Sequence, residues 1–458
     1  MKKIRLVTKC FLAAGIATTL LTFSSGVSAG GFQLFEQNAV DMGDFGAGGA
    51  ALAEDASTAY FNPAGLIRIN HQQLVISGDE VITDTQFSGT NTWTTRAPLL
   101  PPGFAFTQSG SGVQAGGANF VPAIHYVAPI SDCFAFGFSV ASPFGLETNY
   151  PETSVLRYSA TKTDLTTIDI SPSLAWKLTN KFSIGAGFDA THLDVDFDSI
   201  AGLPVVPGNP EAFDTLSKNS ASAWGYGWHG GLLYQFDPGT RVGLAYHSQL
   251  SFNPEGKSKF VGPLASRVTP GGILISPNLS AQVTLPPWTE LSAYHDINCQ
   301  WAVESSIIYT QWNYFNKNLI LKGVQAVTVD PTTGMFIPAQ INAVVPENFH
   351  NTWRFAVGGN YRPIKPLLLR AGVGFDQTPV NNTDRNARLA DSNRYAVAVG
   401  AHYQLAKPVG IDVGWTHLFF KRTNINVATV TGLQVSTANG NYQNHADLLG
   451  AQLTWDIT

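Results

Sequence analysis

Charged residues are scarce in this sequence. They make up 13% of its 458 residues, against roughly 25% in an average soluble domain. Long hydrophobic runs are missing as well, because beyond residue 29 no apolar stretch approaches the ~18 residues that a transmembrane helix requires. An average soluble protein and a helical membrane protein are therefore both disfavoured. Glycine (44 residues) and aromatic residues (11%) are plentiful instead, which suits strands and tight turns better than helices.

Cysteine is almost absent, with three residues in the whole chain. Cys10 lies in the N-terminal apolar run, whereas Cys133 and Cys299 fall in short turn-like segments far apart, which disfavours a disulfide. Two separate cysteines cannot form a metal site, and neither a CxxC nor an HExxH spacing occurs. The sequence therefore predicts no metal and no cofactor.

The first 29 residues are typical of a secretory signal peptide. They have a basic start, a short apolar run over residues 10–23 and a small-x-small cleavage site, Val27-Ser28-Ala29. Cleavage there would remove four basic residues and no acidic one, so the net charge would change from −5 to −9. We expect no nucleic-acid partner, because such a partner calls for a basic surface.

Residues of alternating character predict strands. Phe182, Ile184, Ala186 and Phe188 alternate with small or polar residues, and a period of two is the pattern of a strand. Fourteen such segments can be placed, and an even number is what a single-chain bacterial barrel needs. Their predicted starts are near Leu74, Gly117, Phe134, Leu165, Lys181, Trp224, Arg241, Ala281, Trp301, Trp353, Leu367, Arg394, Ile411 and Ala446.

Three features favour a membrane barrel over a water-soluble β-sandwich. The small and polar face of the strands lacks the bulky residues of a sandwich core, and aromatic residues cluster at strand ends. Short turns also alternate with long polar segments, which we predict to be loops over residues 89–111, 200–220, 254–276, 324–346 and 424–441. The predicted fold class is all-β, a transmembrane antiparallel β-barrel of about 14 strands over residues 71–458 in the Gram-negative outer membrane.

Residues 30–70 come before the barrel strands and show neither a helical nor a strand period. They include the stretch EDASTAYFNPAGL (54–66) and many small residues. Because the segment is too short to form its own core, we predict that it fills the barrel lumen as a plug, or hatch.

Several motifs resemble the FadL/TodX-type transporters of Gram-negative outer membranes. They include GFQLFEQ (31–37), EDASTAYFNPAGL (54–66) and RFAVGGNYRPIKPLLLRAGVGFDQTPV (354–380), and the resemblance covers nearly the whole chain after residue 29. It implies a plugged fourteen-stranded barrel whose partner is a hydrophobic small molecule. We expect the barrel to be a monomer in contact with outer-membrane lipid. It further implies ligand-gated passive uptake of long-chain fatty acids, with lateral exit through a kink in the third strand.

The resemblance assigns roles to several residues. Phe32 is the pocket phenylalanine near the mature N-terminus, and Phe144-Gly145 is the kink that forms a lateral gate. Asp376 is an acidic lumen residue that would attract the α-amino group of Gly30. Asn62-Pro63-Ala64 is the hatch motif.

The pocket lining and the substrate class follow from the strand after Lys181. Asp194, Asp196 and Asp198 would face water, which leaves Leu193, Val195 and Phe197 as an apolar lining. The basic residues that the family uses to meet a carboxylate correspond here to Ser199 and a position near Val345. Uptake of neutral hydrophobic compounds such as aromatic hydrocarbons is therefore the alternative.

An outer-membrane lipid hydrolase is a less favoured alternative. No G-x-S-x-G motif occurs, and a nucleophile would need a neighbouring base. The histidines on candidate strands, which are His125, His192, His229, His247 and His402, show no partner pattern. We therefore expect a transporter and not an enzyme.

Overall fold

The computed structural model describes residues 31–95, 105–204, 206, 208–315, 317–432 and 434–457. The predicted signal peptide and Gly30 lie outside these residues. In the part of the chain that is described, no helix has the length and apolar character needed to cross a membrane.

Fourteen antiparallel strands form a closed barrel, several of them interrupted along their length. The first seven are β1 (Gln72–Thr95), β2 (Phe106–Gln114 and Ala118–Pro129), β3 (Phe134–Ala141 and Gly145–Asn149), β4 (Lys162–Lys177), β5 (Phe182–Ala201), β6 (Thr215–Asp237) and β7 (Thr240–His247, Leu250–Phe252 and Glu255–Val261). The others are β8 (Ile273–Ser280, Val283–Leu285 and Trp288–Asp296), β9 (Trp301–Thr310 and Asn318–Val329), β10 (Phe336–Pro346 and Thr352–Ile364), β11 (Leu367–Asp376), β12 (Arg394–Ala406), β13 (Val409–Phe420 and Thr423–Thr431) and β14 (Gln434–Ile457).

Pairing between the first and last strands closes the barrel. β14 runs antiparallel to β1 from Gln72, opposite Ile457, to Thr95, opposite Gln434. Closure pairs the two strands that would otherwise be the edges of the sheet, which is what allows a sheet to stand in lipid. The prediction of a barrel of about fourteen strands is confirmed.

The prediction of five long polar loops is wrong for much of their length. Residues 336–346 form a strand, and β1, β6 and β14 each extend well into segments that we expected to be loops. Strand pairing depends on backbone hydrogen bonds and needs no apolar face. Polar strands can therefore continue past the membrane as hairpins, and polarity alone does not mark where a strand ends.

The outward face of the barrel is apolar and carries aromatic residues at two levels. On β6, Trp224, Tyr226 and Trp228 are exposed at one level, and Tyr234 and Phe236 are exposed near the short turn after Asp237. Two aromatic belts separated by an apolar band mark the two interfaces of a membrane.

Residues 31–71, the N-terminal segment, pack against inward-facing residues of the wall. The segment contains helices α1 (Ala39–Asp44), α2 (Gly49–Leu52) and α3 (Thr58–Phe61) and the 3₁₀ helix Pro63–Arg68. Asn38 caps α1, since its side chain accepts a hydrogen bond from the backbone N–H of Asp41. Two more 3₁₀ helices are Ala265–Arg267, between β7 and β8, and Trp312–Tyr314, in the interruption of β9.

Cys133 and Cys299 are both free and exposed. Each lies in a short turn, between β2 and β3 and between β8 and β9 respectively.

Candidate functional site

A large apolar cluster surrounds the side chain of Phe32, which is only 3% exposed. The ring of Phe32 makes edge-on contacts with Trp312 and Phe315, with centroid distances of 4.9 and 5.4 Å. The rings of Phe144 and Phe349 lie slightly farther away, at 6.2 and 6.5 Å. Aromatic pairs at such distances contribute beyond simple burial, so the N-terminal segment is anchored to the wall at this point.

Leu193, Val195 and Phe197 on β5 belong to the same cluster as Phe32 and Phe144. Asp194 on the same strand is exposed, and Asp196 and Asp198 are partly exposed. The structure thus brings together all four residues proposed to bind substrate, and β5 turns its apolar face inward. Their role in binding remains a prediction.

A small cavity adjoins this cluster. Its volume is about 50 Å³, whereas pockets that hold drug-sized ligands measure ~300–1,000 Å³. A long acyl chain therefore needs side chains to move before it fits. The cavity is lined by Phe197, Leu321 and Val324 from the cluster, and by Ser199, Val345 and Arg388.

Arg388 places a cation at this cavity, beside Ser199 and Val345, where sequence reasoning found none. It lies between β11 and β12, with its guanidinium carbon 5.1 Å from the centroid of the Phe197 ring. Its Nη1 donates to the Lys162 carbonyl and to Thr163 Oγ1, and its Nη2 donates to the Asp198 carbonyl. All three acceptors are neutral, and within the described residues no carboxylate oxygen lies within 4 Å of the guanidinium.

The charges near Arg388 are compatible with an anion. Partial burial lowers the pKa of Arg388 to about 10, which leaves the side chain positively charged at neutral pH. Burial raises the pKa of Glu347 to about 8, so this neighbouring carboxyl is mostly protonated at pH 7. Asn386 connects the two, because its side-chain amide faces Glu347 Oε1 at 3.5 Å and its Oδ1 accepts from the backbone N–H of Arg388.

Strand β3 is interrupted at Ser142, Pro143 and Phe144. The ladder between β2 and β3 starts at the short turn and stops at the pair formed by Ile124 of β2 and Val140 of β3. Residues 118–123 of β2 then pair with β1, and Gly145–Asn149 of β3 pairs with β4. Among the described residues these two stretches show no ladder with each other, so the wall has a gap in its hydrogen bonding beside Gly145.

The N-terminal segment supplies hydrogen bonds to the interrupted part of β3. The backbone N–H of Leu34 donates to the Pro143 carbonyl at 2.8 Å, and the N–H of Gly145 donates to the Phe32 carbonyl at 2.9 Å. Gln33 forms an antiparallel bridge with Phe144 between these two bonds. The segment therefore behaves as a short extra strand inside the gap.

Gln37 holds the same interruption with its side chain. Its Oε1 accepts from the backbone N–H of Ser142 at 2.9 Å, and its Nε2 donates to the Ser142 carbonyl at 2.8 Å. The Gln37 carbonyl accepts from His125 Nε2 on β2 and from Ser77 Oγ on β1. One fully buried residue thus connects three wall strands, and sequence reasoning did not single it out.

Asp376 lies in a buried ion pair. Its Oδ2 accepts from Arg394 Nη2 at 2.6 Å and from Arg394 Nε at 3.1 Å. The backbone N–H of Gly31 donates instead to Asp391 Oδ2 at 2.9 Å, and Arg394 Nη1 lies 3.6 Å from Asp391 Oδ1. The predicted contact of Asp376 with Gly30 concerns a residue outside the described part of the chain.

Asn62, Pro63 and Ala64 form the start of the 3₁₀ helix. Asn62 Oδ1 accepts from the backbone N–H of Ala64 at 3.1 Å, and Pro63 occupies the first helical turn, where no N–H is needed. Asn62 Nδ2 donates to the carbonyls of Ala50 and Leu232, at 2.6 and 3.1 Å. The asparagine side chain therefore ties the segment to β6.

Comparison with known proteins identifies the family. The family model described as "Outer membrane protein transport protein (OMPP1/FadL/TodX)" matches residues 20–457. The chain belongs to this family. It is an outer-membrane β-barrel that transports hydrophobic compounds, and its family consists of transport proteins, not enzymes.

Curated relatives align over most of their length. Outer membrane protein P1 of Haemophilus influenzae is 29% identical over 98% of this chain and 100% of its own. The long-chain fatty acid transport protein of Escherichia coli K12 is 26% identical over 91% of this chain and 94% of its own.

Solved structures share the fold. A FadL homologue from Pseudomonas aeruginosa superposes with a TM-score of 0.79 at 23% identity, over 94% of this chain and 100% of its own. The Pseudomonas putida toluene transporter TodX gives a TM-score of 0.64 at 17% identity, over 93% and 99%.

Proposed function

We propose that this barrel takes up long-chain fatty acids by passive diffusion. The observation that carries the proposal is Arg388, a cation without a carboxylate partner among the described residues, at the end of an apolar cluster. Partial burial of a charge costs free energy unless the charge is paired. A fatty acid offers a carboxylate for the guanidinium and an acyl chain for the cluster around Phe32 and Phe197.

Uptake of neutral aromatic hydrocarbons is the second candidate. The apolar lining of the cavity suits such a ligand, which is smaller than an acyl chain but also needs side chains to move, and a toluene transporter shares the fold. A neutral ligand would nevertheless leave the guanidinium of Arg388 with hydrogen bonds to neutral acceptors alone. The curated relatives named as long-chain fatty acid transport proteins align over nearly their full length, which also favours the first candidate.

Binding to the purified protein separates the two candidates. Tryptophan fluorescence or calorimetry would compare oleate, oleyl alcohol and toluene in the same detergent. We expect oleate to bind at least tenfold more tightly than oleyl alcohol, because the two share an acyl chain and differ in charge. Equal affinity of oleate and oleyl alcohol, with tighter binding of toluene, would favour the aromatic substrate.

For the path of release we propose that the hatch and the gap beside β3 act together. The N-terminal segment occupies the apolar cluster through Phe32 and the gap through Leu34 and Gln37. Its displacement would enlarge the pocket and free the gap in one movement. Exit sideways into the lipid is favourable because an acyl chain released into water would expose apolar surface at ~25 cal/mol per Å².

Phe32→Ala is expected to weaken the binding of oleate and of oleyl alcohol to a similar extent. Loss of a buried aromatic contact with the acyl chain corresponds to ~2 kcal/mol, and the contact does not depend on charge. Isothermal titration with both ligands measures the effect. Phe35→Ala is the matched control, since Phe35 packs in a different cluster with Trp288 and Ile308. Unchanged affinity in Phe32→Ala would leave Phe32 with a packing role alone.

A further inference from the structure

Three potential metal ligands on adjacent strands meet inside the barrel, away from the apolar cluster. Asp189 on β5, His229 on β6 and His247 on β7 are all buried, and one donor atom from each lies within 4.8 Å of the others. His229 and His247 stand directly opposite each other in the β6–β7 ladder. We propose that these three residues bind a divalent transition-metal ion, zinc in particular.

Their hydrogen bonds leave nitrogen lone pairs for a metal. His229 Nδ1 lies 2.6 Å from Asp189 Oδ1, and His247 Nε2 lies 3.1 Å from the Tyr60 carbonyl. Because an ionised carboxylate and a carbonyl only accept, both of these ring nitrogens carry the proton. His229 Nε2 and His247 Nδ1 then each keep a lone pair, and His229 Nε2 is buried with no hydrogen-bond partner.

The surrounding chain holds the two imidazoles in place. The ring of His247 stacks on Trp288 at a centroid distance of 4.1 Å and an angle of 10°. The ring of His229 lies over Gly187, where a Cβ atom would overlap the imidazole. The two imidazoles also stack on each other, with a centroid distance of 5.1 Å and an angle of 14°, so they must tilt for both to reach one ion.

The donor set suits zinc. Two imidazoles and one carboxylate form a mixed nitrogen and oxygen site of the kind that zinc occupies, with bonds of ~2.0–2.2 Å. Donor atoms in such a site are at most ~4.4 Å apart, and those of the three residues lie within 4.8 Å of one another, so side-chain movement has to complete the site. Because the free lone pairs are on His229 Nε2 and His247 Nδ1, the hydrogen bond from His229 Nδ1 to Asp189 Oδ1 can stay in place when the ion binds.

A bound metal would connect the wall to the N-terminal segment. It would join β5, β6 and β7, and His247 would carry the connection to the Tyr60 carbonyl in α3. Because a ligand that binds only the folded state stabilises it, zinc should raise the thermal midpoint of the folded barrel.

The test uses the full-length mature protein without a histidine tag, stripped with a chelator. We expect about one zinc ion per chain by calorimetry, and Co²⁺ should give the visible absorption of a protein-bound ion. His247→Gln and Asp189→Asn should each weaken zinc binding at least tenfold and abolish the rise in thermal midpoint. His192→Gln is the matched control, since His192 forms a comparable pair with Asp194 on the outer face, at 3.0 Å.

Two results would overturn the proposal. The first is a stripped wild-type protein that takes up no stoichiometric zinc. The second is a loss of zinc binding in His192→Gln as large as that in His247→Gln. Heat-modifiable gel migration verifies that each variant is folded, and if one histidine variant fails to fold, the conservative Asp189→Asn variant decides.

Discussion

Arg388→Met is expected to weaken oleate binding by about 10- to 100-fold and to leave oleyl alcohol binding within about twofold. A hydrogen bond to a charged group contributes roughly 1.5–3 kcal/mol, and methionine keeps the length and apolar character of the arginine stem. The effect should therefore fall on the carboxylate and spare the acyl chain. Calorimetric titration of both ligands into the folded variant provides the measurement.

Arg385→Met is the matched control for this experiment. Arg385 lies in the same connection between β11 and β12 but donates to the Asp391 and Asn424 carbonyls and to Asn382, and it does not line the cavity. Its loss should change both affinities equally or not at all. If the Arg388→Met variant binds oleate as tightly as the wild type does, Arg388 does not bind the substrate carboxylate. Aromatic hydrocarbons would then be the favoured substrates.

Much of the barrel could be predicted because strand periodicity is a local property. The alternation at Phe182–Phe188 follows from the pleat of a single strand, and short turns mark where neighbouring strands join. The outer ends of the strands could not be predicted in the same way. Residues 336–346 have apolar side chains on both faces, Phe336 and Val344 on one and Ile337 and Ile341 on the other, so the alternation is weak there although the backbone pairs with β9.

The apolar half of the site was also accessible from sequence. Leu193, Val195 and Phe197 share one face of β5 by their spacing alone, and the structure places them with Phe32. Arg388 was not accessible, because it lies in the irregular connection 377–393, where no period indicates which side chain turns inward. Its proximity to Phe197 depends on how that connection folds back over the lumen.

The histidine pair shows a second limit. His229 and His247 are 18 residues apart and become partners only through the register of β6 and β7. A shift in that register occurs near the turn, between Gln235 and Asp237. A slip of one residue moves every side chain to the opposite face. The register shift therefore decides whether the two imidazoles meet, and no sequence pattern predicts it.

A disulfide between Gln33→Cys and Phe144→Cys is expected to stop oleate uptake, and reduction is expected to restore it. These residues face each other in the bridge between the N-terminal segment and the interruption of β3. Directly opposed antiparallel residues have Cα atoms ~4.5–5.5 Å apart, which matches the geometry of a disulfide. This disulfide would hold Phe32 in the apolar cluster and keep the N-terminal segment on the interrupted part of β3.

Uptake of labelled oleate is measured in cells that lack their own fatty-acid transporter, with and without a reducing agent. Cys133→Ser and Cys299→Ser belong in the background, since both native cysteines are free and exposed. Each single-cysteine variant should respond to the reducing agent no more than the background does, so that only the cross-linked pair shows reversible inhibition.

Wild-type uptake by a fully cross-linked protein would mean that fatty acids pass while position 33 stays bound to position 144. The pocket would then have to open by moving wall residues such as Phe349 or the connection that carries Arg388, and the N-terminal segment would be a fixed part of the barrel.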